Sequence, residues 1–320
     1  MSVKEPKSFE EQLDILKKRG VSLDDRDEYA KAYDIIKRVG YYRLINGYKK
    51  LFIEIPANEA TGTEEKYKSG TTVSEIYSLY YFDWALRTVM LSHILPIEAH
   101  IKSLISYVIS EEYGKDNYLI YQNFNTQKSN ATKLINGVIS DIHKQIAKRY
   151  GDPSIHHYLS KYGFIPMWVL NNILTMGITS RLFSIMKVSD RQKVSREFNV
   201  LDNALENYLL LLTDVRNIAA HGNRLFCMRT KKPLQDTPIH AALNIQRGPG
   251  EYLYGKRDLF AALIAMKYLV SGNDFEKLVD EISELINDLR PHLHTIEMKD
   301  VLQAMGFPKK WKQIKRRDIK

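Results

Sequence analysis

Apolar residues recur at intervals of three and four along nearly the whole chain of 320 residues, a periodicity that commits it to helices packed on helices. In SFEEQLDILKKRG the pattern sets Phe9, Leu13 and Leu16 on one face, after a capping box of Ser8 with Glu11, and stops at Gly20. A second short helix is expected from about Asp24 to Val39. From Thr72, in the capping pattern TVSE, a long helical pattern carries Ile76, Tyr80 and Trp84, and Pro96 is expected to kink it before IEAHIKSLISYVI continues. Further helices are expected around Ala131 to Tyr150, in PMWVLNNILTMGITSRLFSIM, in LDNALENYLLLLTDVRNIAAH with Leu201, Leu205, Leu209 and Leu212 in the core, and in a final pair, DLFAALIAMKYLV and FEKLVDEISELINDL. Pro56 and the polar stretch to Gly70 read as a loop. Short strands are expected only near residues 48 to 55 and 224 to 254. With no internal repeat and no clean linker, the reading is a mostly α, elaborated helical bundle with few or no short strands. It forms a single domain over residues 1–308, followed by a basic C-terminal tail at 309–320.

A hydrophobic share of 44% is enough for a proper core, and the net charge of +9 comes from 47 basic against 38 acidic residues. The last twelve residues, KKWKQIKRRDIK, hold seven basic and one acidic residue, so +6 of the excess sits there. Such a tail attracts phosphates without regard to sequence; the plainer expectation is a solvated terminus. One cysteine, Cys227, excludes an intrachain disulfide framework and a multi-cysteine metal site. The start, MSVKEPKSFEEQ, has no apolar signal region, and no apolar run reaches the roughly 18 residues of a membrane span. A cytoplasmic protein without membrane contact is expected.

The stretch DVRNIAAHGNRLF, Asp214 to Phe226, ends an apolar helix in an arginine and a histidine separated by four residues. Gly222 reads as the helix stop, which places His221 at a helix end near the surface. Residues five apart lie roughly 140° apart around a helix, whereas residues four apart nearly align. Asn217 therefore shares the face of His221, and Arg216 reaches it only with its long side chain or through a helix distortion. The bland reading is a favourable cation at a helix C-terminus beside a solvated arginine. The chemical reading is RNA cleavage without metal or cofactor: a histidine takes the proton from a ribose 2′-hydroxyl or gives one to the leaving 5′ oxygen, and an arginine bridges phosphate oxygens. Two proton transfers need two such groups, and a symmetric homodimer would supply the second.

Around this motif the chain resembles the Abi-like abortive-infection proteins of the AbiD/AbiF type, members of the HEPN ribonuclease superfamily. RVGYYRLINGYKKLF is similar to the family's GYYRL-like block, WALRTVMLSHILPIEAHIK to its LR...IE helix, and PMWVLNNILTMGITSRLF to its PxW...G segment. VRNIAAHGNRLF is similar to its VRN..AH..RL signature and MGFPKKW to its closing element. The resemblance implies a HEPN-like helical fold, homodimerisation, and metal-independent endoribonuclease activity in phage defence or as a toxin. It places the catalytic motif on Arg216 and His221, with Asn217 as the polar residue after the arginine. It also implies a neutralising partner, a protein or a small non-coding RNA. The sequence departs from the family pattern at Gly222, at FCM after Leu225, at Asn171 and Asn172, and at Lys102. The rival expectation is a non-catalytic RNA-binding or interaction module of a defence system.

Tyr41, Tyr42, Arg43, Tyr48, Lys49 and Lys50 interleave rings and cations as a single-stranded RNA surface would, or form core with solvated lysines. Arg224 is placed to touch a substrate phosphate or to pair with an acidic neighbour. His156 and His157, adjacent and near Asp152, are expected on a surface loop and not as metal ligands, and Glu98 and His100 are expected in packing or capping.

Overall fold

Ser8 accepts the Glu11 amide at 3.2 Å while the Glu11 carboxylate accepts the Ser8 amide at 2.6 Å, so α1 (Phe9–Lys18) begins on the capping box written in its sequence. Asp25 caps α2 (Arg26–Val39) by accepting the Glu28 amide at 2.8 Å. The structure, a computed structural model, describes residues 5–58 and 60–318. It is a mostly α-helical bundle.

The bundle is organised on α3 (Val73–Tyr113), 41 residues capped by Thr72 and running through Pro96 without a break. Its length is about 60 Å at 1.5 Å per residue. It packs against α2 and, further along, α6 (Met167–Leu170), α8 (Val188–Arg196), α9 (Asp202–Ala220) and α12 (Gly272–Leu289). Between α3 and α6 lie α4 (Ala131–Lys148) and α5 (Pro153–Tyr162); α7 (Met176–Ile185) follows and packs on α4 and α9. The most apolar segment, α11 (Leu259–Leu269), has every residue from Leu259 to Met266 fully buried, as a helix apolar on all sides must be. The chain closes with α13 (Met298–Met305).

Several expectations shift in detail. Leu201, expected in the core with Leu205, Leu209 and Leu212, is the N-cap of α9 and 73% exposed. The strand expected near residues 48 to 55 is β1 (Ile53–Ile55), but its antiparallel partner β2 (Lys66–Tyr67) lies inside the stretch read as a loop. Within residues 224 to 254 there is only an isolated bridge between Arg247 and Tyr252, after the short α10 (Pro238–Ala242). His156 and His157 stand on the exposed side of α5, capped by Asp152, and not on a loop. The C-terminal segment folds back: Trp311 and Ile314 are buried in a 3₁₀ turn against α12, and Lys315 and Arg317 pair with Asp280 and Glu276. No helix among the described residues is long and apolar enough to cross a membrane.

Candidate active site

The end of α9 is fixed by backbone chemistry. Gly222 adopts φ +70°, which a residue with a side chain resists. That turn lets the Asn223 amide donate to the Ile218 carbonyl at 3.0 Å and the Gly222 amide to Ala219 at 3.3 Å, the paired bonds of a Schellman stop. His221 is left as the C-cap, directly after the last helical residue Ala220, and is exposed, with Asn217 exposed one turn earlier. The expected helix stop and shared face are therefore both present.

A second element closes over this end. After Gly40 the chain makes a π-helical turn, Tyr42–Asn46, and then a 3₁₀ turn, Lys49–Phe52. Widened π turns of the first kind are frequent at functional sites. Arg224 holds the π turn in place, donating to the Gly47 carbonyl at 2.6 Å and to Asn46 at 3.3 Å. The Arg43 guanidinium lies so close to Gly222 that a Cβ there would sit 3.0 Å from it, and it also covers the Tyr80 ring at 5.9 Å. The result is a cavity of about 400 Å³ bounded by Tyr42, Arg43, Asn46, Tyr48, His221 and Arg224.

Beneath the cavity, a buried network on α3 anchors the chain that leaves it. Asp83, fully buried, accepts the amides of Phe226 at 2.7 Å and Leu225 at 3.0 Å, the Tyr48 hydroxyl at 2.7 Å, and the Arg87 guanidinium at 2.8 Å. Arg87 in turn donates to the Asn223 carbonyl at 3.2 Å. Burial pushes the Asp83 carboxyl above the ordinary aspartate value, while Tyr48, the Phe226 amide and Arg87 draw it back. Asp83 and Arg87 thus set the path of residues 223–226 without touching the cavity. Nothing in the motif pointed to Asp83, and nothing local to Arg87, within WALRTVMLSHILPIEAHIK, pointed to this role.

The remaining candidates separate. Arg216 does not line the cavity with His221: its Nε lies 3.5 Å from a carboxylate oxygen of Glu98, whose other oxygen meets Lys102 at 2.7 Å. Glu98, expected only in packing or capping, is buried and is the partner of the motif arginine. Lys49 is bound to Glu65 at 2.7 Å, whereas Lys50 is exposed and Tyr42 is 81% exposed. Tyr48 is buried in the network, and Arg224 serves backbone carbonyls. Burial pushes the Cys227 thiol upward, which suits an inert packing residue. No cluster of three or more histidine, cysteine or acidic side chains with metal-holding geometry occurs among the described residues.

Residues 34–227, more than half of the chain, match the family described as Abi-like protein. The chain belongs to the Abi-like protein family. No curated protein and no solved structure matches it. In this Abi-like protein, segments distant in sequence converge on the end of α9. The π turn carries Arg43, α3 carries Arg87 and Glu98, the α6 segment faces α3 beside Glu98, and α9 carries Arg216 and His221. All four segments fall inside the matched region.

Proposed function

We propose that this Abi-like protein is a HEPN-type, metal-independent endoribonuclease of an abortive-infection or toxin system, acting in the cytoplasm as a homodimer. The observation that carries the reading is His221, exposed on a rigidly capped helix end, sharing a cavity with the Arg43 guanidinium. A phosphodiester seated there meets a positive charge and a group able to move a proton. His221 takes the proton from the ribose 2′-hydroxyl, the 2′ oxygen attacks phosphorus, and the 5′ oxygen leaves as a hydroxyl once it is protonated. The products are a 2′,3′-cyclic phosphate and a 5′-hydroxyl end. The second proton-transfer group is His221 of a two-fold-related copy, Arg216 from each copy stabilises the charge on phosphorus, and Asn217 orients His221. Activity of this kind requires restraint in the cell, by a protein or a small non-coding RNA.

Mixing experiments test the shared site. Wild-type protein re-equilibrated with a fivefold excess of His221→Ala protein should lose about sixfold in RNA cleavage per wild-type chain, the statistical expectation for random pairing. Undiminished cleavage per wild-type chain contradicts a site built from two copies.

One observation favours a second reading. The Arg216 side chain is engaged by Glu98 in place of standing free beside His221, as in a non-catalytic RNA-binding module. On that reading wild-type protein shifts RNA and leaves it intact.

A further inference from the structure

Eight buried side-chain polar atoms among the described residues have no hydrogen-bond partner, and five of them gather at one place: Glu98 Oε2, Ser106 Oγ, Ser110 Oγ, Asn171 Oδ1 and Arg216 Nε. Glu98 Oε2 and Arg216 Nε face each other as an ion pair at 3.5 Å, which leaves Ser106, Ser110 and Asn171 unmet. Buried polar groups are ordinarily satisfied, so such a concentration marks a surface made to be completed by something else. The first four line a groove of about 660 Å³ between α3 and the segment from Trp168 to Asn172, and the fifth abuts it through Glu98. On α3 the groove runs from Leu95 to Ser110, about 22 Å at 1.5 Å per residue. Glu98, Ser106 and Asn171 are each nine-tenths or more buried.

We propose that this groove binds a nucleobase of single-stranded RNA beside Arg216. The inference rests on the ribonuclease reading and adds to it where the bases go.

The walls suit a flat aromatic ligand. Trp168 on α6 is 50% exposed and Tyr107 on α3 is 65% exposed, and both line the groove. Base stacking on such rings is favourable whatever the base. The floor suits a base edge. Serine hydroxyls and an asparagine amide both donate and accept, matching the mixed donors and acceptors of a base. An apolar helix laid into the groove would leave those atoms unmatched. The charge suits a base better than a phosphate, because the groove's carboxylate is already met by Lys102 and Arg216. Phosphates are left to the neighbouring cavity of His221 and Arg43 and, on the ribonuclease reading, to Arg216, which stands on α9 between that cavity and the groove.

The test uses full-length His221→Ala protein, which leaves bound RNA uncut, with a labelled single-stranded oligoribonucleotide and an abasic analogue of the same backbone. Replacing Trp84, the other half-exposed tryptophan, by phenylalanine leaves Trp168 as the exposed reporter, since Trp311 is buried. The groove predicts saturable quenching of Trp168 by the base-bearing RNA. It also predicts about tenfold weaker binding of that RNA by Trp168→Ala and by Asn171→Ala, with little change for the abasic analogue and unchanged thermal melting. If both variants bind the base-bearing RNA as before while wild-type protein cuts it, the groove assignment is overturned and the ribonuclease reading stands. If Trp168→Ala turns dimers into monomers without changing RNA affinity, the occupant is a second copy of the chain and the proposal falls. Wild-type protein that neither cuts nor binds RNA overturns both.

Discussion

The Phe226 amide donates to Asp83 Oδ1 at 2.7 Å, tying the chain five residues beyond His221 to the N-terminal third of α3. Because the same carboxylate holds the Leu225 amide, Tyr48 and Arg87, removing it strands several buried donors and a buried guanidinium together. Asp83→Ala should lose about 3–5 kcal/mol of stability, the range for breaking one side of a buried pair. Urea unfolding measures this; a loss below about 1 kcal/mol would show that the network does not hold the loop.

Arg43 and Arg224 border the same cavity but do different work. Arg224 spends its donors on backbone carbonyls, so Arg224→Ala should lower stability by about 0.5–1.5 kcal/mol, the net value of an ordinary hydrogen bond. Arg43 faces Gly222 and the cavity, so Arg43→Ala should leave the melting temperature near wild type while lowering RNA cleavage by about 10²-fold. Paired melting and cleavage measurements on the two variants would expose an exchange of these effects.

Gly222→Ala probes the same spot from the helix side. A side chain at φ +70° is strained by roughly 1 kcal/mol or more, and the new Cβ would press on Arg43 from 3.0 Å. Lower stability together with reduced cleavage is expected, both read against wild type in the same assays.

Asp258 supplies a pH dependence with a definite sign. It caps α11 by accepting the Ala261 amide at 3.0 Å and the Gly255 amide at 3.1 Å, and it is packed directly against Gly306. Burial, its largest influence, raises its pKa from 3.8 to about 6. The folded state therefore holds this proton more tightly than the unfolded chain. The resulting stabilisation is fully present below pH 3.8 and is lost as the pH rises through about 6. Relative to Asp258→Asn, which cannot titrate, wild-type protein should lose up to about 3 kcal/mol between roughly pH 4 and 7. A stability difference that stays flat across that interval contradicts the assignment.

The C-terminal segment is expected to matter for folding as well as for charge. Trp311 is buried against Phe307, with ring centroids 4.8 Å apart. Trp311→Ala should lower stability by about 3–5 kcal/mol, seen in thermal or urea unfolding; a loss within 0.5 kcal/mol, typical of a surface change, would mean that the segment is not docked.

Helical periodicity and caps made most of the bundle legible. Ser8 with Glu11, Thr72 and Gly222 end or begin helices where their chemistry demands, because capping is a local property of the chain. What stayed hidden was tertiary. Nothing local distinguishes Asp83 from any aspartate of an amphipathic helix, and its role exists only because residues 223–226 return to it. Glu98 likewise looked like a packing residue until α9 brought Arg216 against it. The basic run at the C-terminus read as a tail because charge dominates its composition, while Trp311 and Ile314, which dock it, are two apolar residues among many cations. Arg224, one turn from the histidine, invited a substrate role that its backbone partners at Asn46 and Gly47 now occupy.

The central claim, RNA cleavage by His221, is tested most directly by incubating purified wild-type and His221→Ala proteins with end-labelled single-stranded and structured RNAs in EDTA and mapping the ends. The account predicts fragments with 2′,3′-cyclic phosphate and 5′-hydroxyl ends from wild-type protein and none from the variant. Cleavage retained by His221→Ala, or RNA bound but left intact by wild-type protein, would contradict it.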